Sequence, residues 1–289
     1  MTTTPDPAFD ALLPAEMAHK AETVGVVKAA LPLRRLIPLG VLAGAFIALG
    51  AHFFIVVTAG TGLAPGVSRL LGGLVFSLGL ILVVVSGAEL FTGNTLIVIA
   101  CANRRVRLRA VLRNWGVVYV VNFVGAAATS CLVVWSGRFE AGDGSMGKRA
   151  LDVALAKSGL PFFDAFVSGL LANALVCLAV WMSMSARSLT DRVFAIVPPV
   201  TAFVAAGFEH SIANMYFFPA ALLHRAWAGD SFWKNTETTS AAYDDITWGG
   251  FALHNLVPVT LGNLVGGAVL VGLVYWFVYL RDASPGPGR

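Results

Sequence analysis

The chain has 289 residues, of which 57% are hydrophobic and only 12% are charged, and its mean hydropathy is +0.77. Soluble domains carry about a quarter charged residues, so this composition excludes an ordinary soluble protein and indicates an integral membrane protein. The formal net charge of +4 could suggest a nucleic-acid partner, but the distribution of the charges along the chain argues against one.

The first predicted element is an amphipathic helix over residues 8–30, within an N-terminal cytoplasmic region of residues 1–35. It lacks the apolar core and cleavage site of a secretory signal. One interpretation is a helix that lies on the membrane surface or on the spans, and the other is a gate or a docking site for a cytoplasmic partner. Its apolar side chains keep helical spacing; they are Phe9, Leu12, Leu13, Met17, Val24 and Val27.

Six hydrophobic runs follow, each long enough to cross a bilayer as a helix, which takes roughly 20 residues. Together they predict one membrane domain over residues 36–280. A tail over residues 281–289 follows, and we expect its Pro- and Gly-rich end, residues 284–289, to be disordered. The runs lie near 36–57, 68–88, 110–135, 163–186, 192–227 and 251–280.

Lysine and arginine are distributed unevenly across the predicted membrane. With the N-terminus placed inside, 13 of them fall on the inner side and 7 on the outer side. This bias follows the positive-inside rule, so both termini are expected to be cytoplasmic. The basic run 104–113 is interpreted as a topology signal rather than a binding patch.

The second and fifth runs contain interruptions that resemble each other. One reads Gly87-Ala-Glu-Leu-Phe-Thr-Gly-Asn94 and the other Gly207-Phe-Glu-His-Ser-Ile-Ala-Asn214. A carboxylate near the bilayer centre is costly, and paired interrupted helices are the best sequence-level pointer to a transport site at the membrane midplane. A half-helix that begins at each break would present free N–H groups that favour an anion.

Weaker similarities extend this correspondence to both halves of the chain. Leu42-Ala-Gly-Ala45 resembles Leu171-Ala-Asn-Ala174, and Asn122-Phe-Val-Gly125 resembles Asn263-Leu-Val-Gly266. Spans one to three (36–135) therefore correspond to spans four to six (163–280), and because three is odd, the second copy must cross in the opposite sense. The sequence predicts an all-α membrane protein of six helices, built as an inverted repeat with helices 2 and 5 broken.

The break glutamates, Glu89 and Glu209, need partners at membrane depth. We interpret both as structural clamps, with proton carriers as the alternative. Their expected partners are backbone N–H groups or hydroxyls of the opposite break.

His210 lies in the second break, the one histidine predicted deep within a span. A buried histidine is most often a hydrogen-bonded core residue, but its place beside Glu209 favours a functional role. An ordinary histidine pKa of about 6.5 would let it exchange a proton with a small anion, and Thr92 could donate a hydrogen bond to the same ligand. For the amides of Asn173 and Asn263, pore-lining and helix-bridging roles are both open.

Apolar side chains near the breaks could narrow a path on either side of His210, since hydrophobic constrictions can gate by dewetting; ordinary core packing is the alternative. They are Phe76, Leu80, Leu90, Phe91, Val176 and Phe203.

Cys101, Cys131 and Cys177 have no metal-ligand spacing and are interpreted as small core residues. No metal or cofactor is expected.

On these motifs the chain resembles the formate/nitrite transporter family. The two breaks, together with Leu175-Val-Cys-Leu-Ala-Val-Trp-Met182 and Val259-Thr-Leu-Gly-Asn263, are similar to signatures of that family. The segments 9–15, 229–250 and 255–260 are closer to its formate channels. The first break departs from them, since Phe-Thr-Gly-Asn-Thr is closer to the nitrite-type Phe-Thr-Gly-His-Thr than to the formate-type Phe-Thr-Ser-Thr.

The resemblance implies an aquaporin-like fold in a homopentamer with one conduit per protomer. It implies that His210 and Thr92 form the central pair, with Asn263 nearby, and that Lys157 attracts anions to an outer vestibule. The implied constrictions are Leu80, Leu90, Phe91 and Val176 on the cytoplasmic side and Phe76 with Phe203 on the outer side.

The implied function is bidirectional, pH-sensitive transport of formate across the bacterial inner membrane. Nitrite, acetate and other small monovalent anions are further candidates. Protonation by His210 would make formic acid, which crosses an apolar constriction at a much smaller desolvation cost.

A nitrite-selective channel is the alternative. A neutral-solute channel lacks an Asn-Pro-Ala pair at the breaks, and an enzyme lacks a nucleophile or metal set near His210. Expected partners are lipid, further copies of the chain and a cytoplasmic formate-producing enzyme at the N-terminal helix.

Overall fold

The computed structural model describes residues 11–282, so Phe9 and the tail 284–289 lie outside the described residues. This part of the chain is helical and contains no strand. The principal helices are α1 (Pro14–Ala29), α2 (Leu33–Thr58), α3 (Pro65–Ser86), α4 (Phe91–Ala102), α5 (Leu108–Trp135), α6 (Ser145–Ser158), α7 (Phe162–Ser185), α8 (Leu189–Ala206), α9 (Ser211–Trp227) and α10 (Gly250–Tyr279). A short helix, Asp230–Asn235, connects α9 to α10, which is π-helical over Gly250–Leu256 and Val265–Leu273.

Six of these helices are long and apolar enough to cross a membrane, which confirms the predicted number of spans. They are α2, α3, α5, α7, α8 and α10. Helices α4 and α9 continue the second and fifth spans beyond the predicted breaks. Large apolar side chains such as Leu132, Phe194 and Phe277 remain exposed on the outer faces of the spans, where lipid would cover them.

The breaks begin where glycine ends a helix. Gly87 caps α3 and Gly207 caps α8, and both adopt the left-handed conformation, with φ of 72° and 76°. A residue with a Cβ atom is strained there, so glycine is the usual residue after a helix C-terminus. The three residues after each glycine are non-helical, and the chain turns into a new half-helix at Phe91 and at Ser211.

The two halves pack in the same way. Helix α2 lies against α3 and α5, its counterpart α7 lies against α8 and α10, and α3 packs on α8 across the two halves. Close helix approach depends on glycine: a Cβ at Gly44 would overlap the carbonyl oxygen of Asn122, and one at Gly262 would overlap that of Phe166. These contacts, together with the paired breaks, confirm the predicted inverted repeat.

Helix α1 lies against the spans. It packs on α4 and α7, and it buries one side that includes Met17, Ala21 and Gly25. The Lys20 ammonium donates to the carbonyl oxygen of Met184 at 2.7 Å, and the Glu22 carboxylate accepts from Asn103 at 2.6 Å. The helix is therefore fixed beside the first break.

Candidate functional site

The two breaks meet through one side-chain contact. Thr92 Oγ1, at the start of α4, lies 3.0 Å from His210 Nε2, at the N-terminus of α9. Both residues are buried, with 0% and 2% of their surface exposed. The contact joins residues 118 positions apart, so the start of each half-helix faces the start of the other.

The hydrogen bonds of His210 define which ring nitrogen carries the proton. Its Nδ1 accepts from the backbone N–H of Ala213 at 3.1 Å, which caps α9. A nitrogen that accepts cannot carry a proton, so the neutral ring has its proton on Nε2 and donates to Thr92 Oγ1. The Phe203 ring stacks on the imidazole, with centroids 5.9 Å apart. The site thus presents an N–H donor beside a hydroxyl in an apolar wall.

The first break glutamate is held by a lysine and an asparagine. Lys28 Nζ donates to Glu89 Oε1 at 2.8 Å, and Asn94 Nδ2 donates to Oε2 at 2.7 Å. Asn94 also donates to Asn114 Oδ1 at 2.9 Å, and Asn114 Nδ2 donates to the carbonyl oxygen of Lys28 at 3.1 Å.

The second break repeats these four contacts with the corresponding residues. Lys157 Nζ donates to Glu209 Oε1 and Asn214 Nδ2 donates to Oε2, each at 2.7 Å. Asn214 donates to Asn255 Oδ1 at 2.7 Å, and Asn255 Nδ2 reaches the carbonyl oxygen of Lys157 at 3.4 Å. The expectation that the glutamates bind groups of the opposite break is therefore wrong: each carboxylate is neutralised by a lysine outside the break and accepts a hydrogen bond from the asparagine of its own break.

A second pair of amides holds the two breaks open. Asn122 Oδ1 accepts from the N–H of Phe91, while its Nδ2 donates to the carbonyl oxygens of Gly40 and Glu89. Asn263 does the same for the other break: its Oδ1 accepts from the N–H of Ser211, and its Nδ2 donates to the carbonyl oxygens of Gly169 and Glu209. Backbone groups that a broken helix would leave unpaired are satisfied in this way.

The buried amide of Asn173 joins the halves. Its Nδ2 donates to the carbonyl oxygen of Asn263 at 2.7 Å and lies 3.3 Å from the carbonyl oxygen of Thr92. Cys177 also reaches that Thr92 oxygen, at 3.4 Å. The amides of Asn173 and Asn263 contact neither cavity described below, and their bonds to the backbone favour the helix-bridging alternative.

Two cavities approach the Thr92–His210 pair from opposite ends of the molecule. The first, about 220 Å³, opens beside α1 and is lined by Lys20, Lys28, Leu80, Leu90 and Arg192 among others. The second, about 300 Å³, opens beside α6 and is lined by Arg69, Phe76, Arg149, Lys157, Phe203 and His210 among others. A continuous path would pass through the buried contact between the breaks.

The predicted constriction residues divide between these cavities and the core. Leu80 and Leu90 border the first cavity, and Phe76 and Phe203 border the second, with ring centroids 5.7 Å apart. Phe91 and Val176 are buried and border neither; Phe91 packs on Tyr119, with centroids 4.9 Å apart.

Sequence reasoning missed the role of Lys28 and of the outer amides Asn114 and Asn255. The repeated asparagine of the motif was visible, but its partners come from other helices. Of the cysteines, Cys177 is buried and the other two are half-buried. Residues 11–282 hold no cluster of three His, Cys, Asp or Glu side chains that could bind a metal.

Comparison with known proteins agrees with this geometry. The family profile of the formate/nitrite transporters matches residues 15–277. The formate channel FocA of Escherichia coli K12 is 46% identical, with 96% of this chain and 98% of the relative aligned. A probable formate transporter of Methanothermobacter thermautotrophicus is 35% identical over 93% of this chain and 97% of its own.

Two solved structures share the fold. One is a pentameric formate channel with formate bound, with a TM-score of 0.82, 44% identity and coverage of 86% of this chain and 98% of its own. The other is an FNT family ion channel, with a TM-score of 0.78, 31% identity and coverage of 91% and 98%. The relatives named here are channels and transporters rather than enzymes, and the chain belongs to the formate/nitrite transporter family.

Proposed function

We propose that this protein conducts formate and similar small monovalent anions, in both directions, across the bacterial inner membrane. The observation that carries the proposal is the Thr92–His210 contact, which lies between two cavities lined by cations. Formate is the substrate named for the similar channels. Their pentameric relative supports a homopentamer with one conduit in each protomer.

The distribution of charge supports an orientation for the conduit. With α1 on the cytoplasmic side, as the positive-inside rule favours, the first cavity is the inner vestibule and the second is the outer vestibule. Both termini are then cytoplasmic. Each vestibule contains cations that would concentrate an anion before it meets the apolar side chains around the breaks.

The proposed mechanism uses His210 to reduce the desolvation cost of the anion. A bare carboxylate loses its hydration shell at the Phe76–Phe203 pair. Within residues 11–282, no lysine or arginine makes a hydrogen bond to Thr92 or His210 that could replace that shell. Formate that displaces Thr92 from Nε2 receives a hydrogen bond. Once a proton from water has charged the ring, Nε2 gives its proton to formate, which leaves as neutral formic acid. Flux is then expected to rise at low pH.

The capping bond of His210 sets a condition on this step. An imidazolium has N–H groups on both nitrogens, so a proton on Nδ1 would face the N–H of Ala213. Charging the ring therefore requires the cap of α9 to open. Because the anion takes the proton of Nε2, the cap re-forms only after Nε2 has taken up another proton from water and Nδ1 has released its own. The proposed proton transfer is coupled to a local movement at the start of α9.

A nitrite-selective channel is the second candidate, and one observation favours it. Gly93 and Asn94 border the first cavity, so the loop that departs from the formate-type sequence faces the proposed path. Its local chemistry could shift the preference toward nitrite.

The test is anion flux into proteoliposomes that hold the purified protein, with formate, nitrite and chloride compared at pH 5 and pH 7. Formate flux that exceeds nitrite flux and rises at pH 5 supports the proposal, whereas nitrite flux equal to or above formate flux supports the alternative.

His210→Asn keeps an acceptor for the Ala213 N–H but cannot titrate. Exposed His254→Asn is the matched control. Formate transport by His210→Asn that equals wild type at both pH values would remove the proton role.

A further inference from the structure

The second cavity contains one lysine whose charge is already neutralised. Lys157 was expected to attract anions, but its ammonium lies 2.7 Å from the Glu209 carboxylate, and 15% of its side chain is exposed. It also lies 5.4 Å from the centre of the Phe217 ring. A buried ion pair presents little net charge to an incoming anion. Any strong attraction in this cavity must therefore come from other cations.

The other two cations that line the cavity are Arg69 and Arg149. Arg149 of α6 has the contacts that best suit it to bind an anion. Its Nε donates to Thr58 Oγ1 at 3.0 Å, and its Cζ lies 5.5 Å from the centre of the Phe54 ring. These two contacts fix the plane of the guanidinium. Its two terminal nitrogens make no hydrogen bond or ion pair with any of residues 11–282. A fixed guanidinium with both ends unoccupied is the geometry that binds a carboxylate in a bidentate manner.

Two neighbouring charges affect the pKa of Arg149. Burial lowers the pKa of Arg149, the carboxylate of Asp152 opposes that effect, and the positive charge of Arg69 adds to it. Asp152 accepts a hydrogen bond from Tyr243 at 2.8 Å rather than pairing with Arg149. Arg69 is exposed at the mouth of the same cavity. Three cations and two carboxylates line the cavity, so its net charge is positive.

We propose that Arg149, with the nearby positive charge of Arg69, forms a docking site for small monocarboxylates in the second cavity. An anion would bind there before it reaches His210. The proposal rests on the proposed function, since the docked anion is the one to be transported. The site raises the local concentration of the anion on one side of the membrane only. It should therefore change the half-saturation concentration for transport from that side and leave the maximal flux unchanged.

The test measures formate flux against formate concentration in right-side-out and in inverted membrane vesicles. Arg149→Gln removes the charge, Arg149→Lys keeps the charge but not the two parallel donors, and Arg69→Gln tests the exposed assistant. Lys234→Gln removes one exposed cation that does not line the cavity and is the matched control. The folded state of each variant is verified by its elution profile in detergent.

We expect Arg149→Gln to raise the half-saturation concentration roughly threefold to tenfold for flux that enters through the second cavity, because a partly exposed charge contact is modest in energy. Arg149→Lys and Arg69→Gln should show smaller increases, and Lys234→Gln none. Entry from the α1 side should be unaffected. Formate flux in the wild type with equal half-saturation concentrations in all variants overturns the docking site alone. No formate flux in the wild type overturns the proposed function and the docking site with it.

Discussion

Lys28 of α1 and Lys157 of α6 occupy equivalent positions in the two halves of the protein. Each donates to Oε1 of a break glutamate, at 2.8 Å and 2.7 Å, while an asparagine of the same break donates to Oε2. Helix α1 is thus the structural counterpart of α6. The repeat extends beyond the membrane spans to include a helix at each mouth.

Replacing Lys157 with Met should destabilise the protein strongly. It leaves the Glu209 carboxylate buried without its cation, and breaking one side of a buried pair costs about 3–5 kcal/mol. Lys28→Met should cost less, because 27% of the Lys28 side chain is exposed to solvent against 15% for Lys157. The measurement is the free energy of unfolding in mixed detergent micelles.

The double variant Lys157→Met/Glu209→Gln tests whether the stability that Lys157 contributes comes from its ion pair with Glu209. A neutral amide can still accept from Asn214, so the double variant should regain a large part of the lost stability. Lys234→Met, on the exposed surface, controls for the loss of a cation. A double variant no more stable than Lys157→Met would contradict the clamp interpretation of Glu209.

Thr92→Val should impair the site without enlarging it. Valine has nearly the volume of threonine but lacks the hydroxyl, so His210 Nε2–H would lose the partner that lies 3.0 Å away. An unpaired buried donor costs about 1–3 kcal/mol. Formate flux should fall, and Thr92→Ser, which keeps the hydroxyl, should retain most of it. Equal flux in the Val and Ser variants would show that the hydroxyl is dispensable.

The spans, the breaks and the inverted repeat could be predicted because each is a pattern of composition or spacing within the sequence itself. Apolar runs of span length are read directly from composition, and the repeated glycine, glutamate and asparagine of the breaks recur at fixed spacing. His210 and Thr92 were singled out because each stands inside a break. The structure places their side chains 3.0 Å apart.

The partners of the break glutamates could not be read from the sequence. Lys28 and Glu89 are 61 residues apart, and Lys157 and Glu209 are 52 apart. Only the packing of α1 and α6 against the spans brings them together. The amide of Asn263 was equally ambiguous, because which carbonyl oxygen it meets depends on how closely α10 crosses α7, a consequence of glycine contacts distant in the chain.

Tyr243 predicts how stability changes in alkali. Burial, the hydrogen bond that it donates to Asp152 and the charge of that carboxylate raise its pKa from 10.0 to about 12. Between these values the unfolded chain loses a proton that the folded protein retains, so stability should fall as pH rises through this window. Tyr243→Phe should show a shallower decline of the unfolding midpoint over the same range. Identical declines in the two proteins would show that this tyrosine does not contribute.

The Phe76–Phe203 pair should limit the size of the transported anion. The rings meet edge to face, with centroids 5.7 Å apart, on the wall of the second cavity beside His210. Phe203→Ala would also remove the ring that stacks on the imidazole, so Phe76→Ala is the cleaner change. It should raise acetate flux relative to formate flux, because the larger anion gains most from a wider passage. Truncating a buried Phe costs about 3–5 kcal/mol of stability, so flux is normalised to folded protein, and Phe277→Ala on the exposed outer face is the control. An unchanged acetate-to-formate ratio in Phe76→Ala would move the size-selective step away from this pair, toward Leu80 and Leu90 at the other cavity.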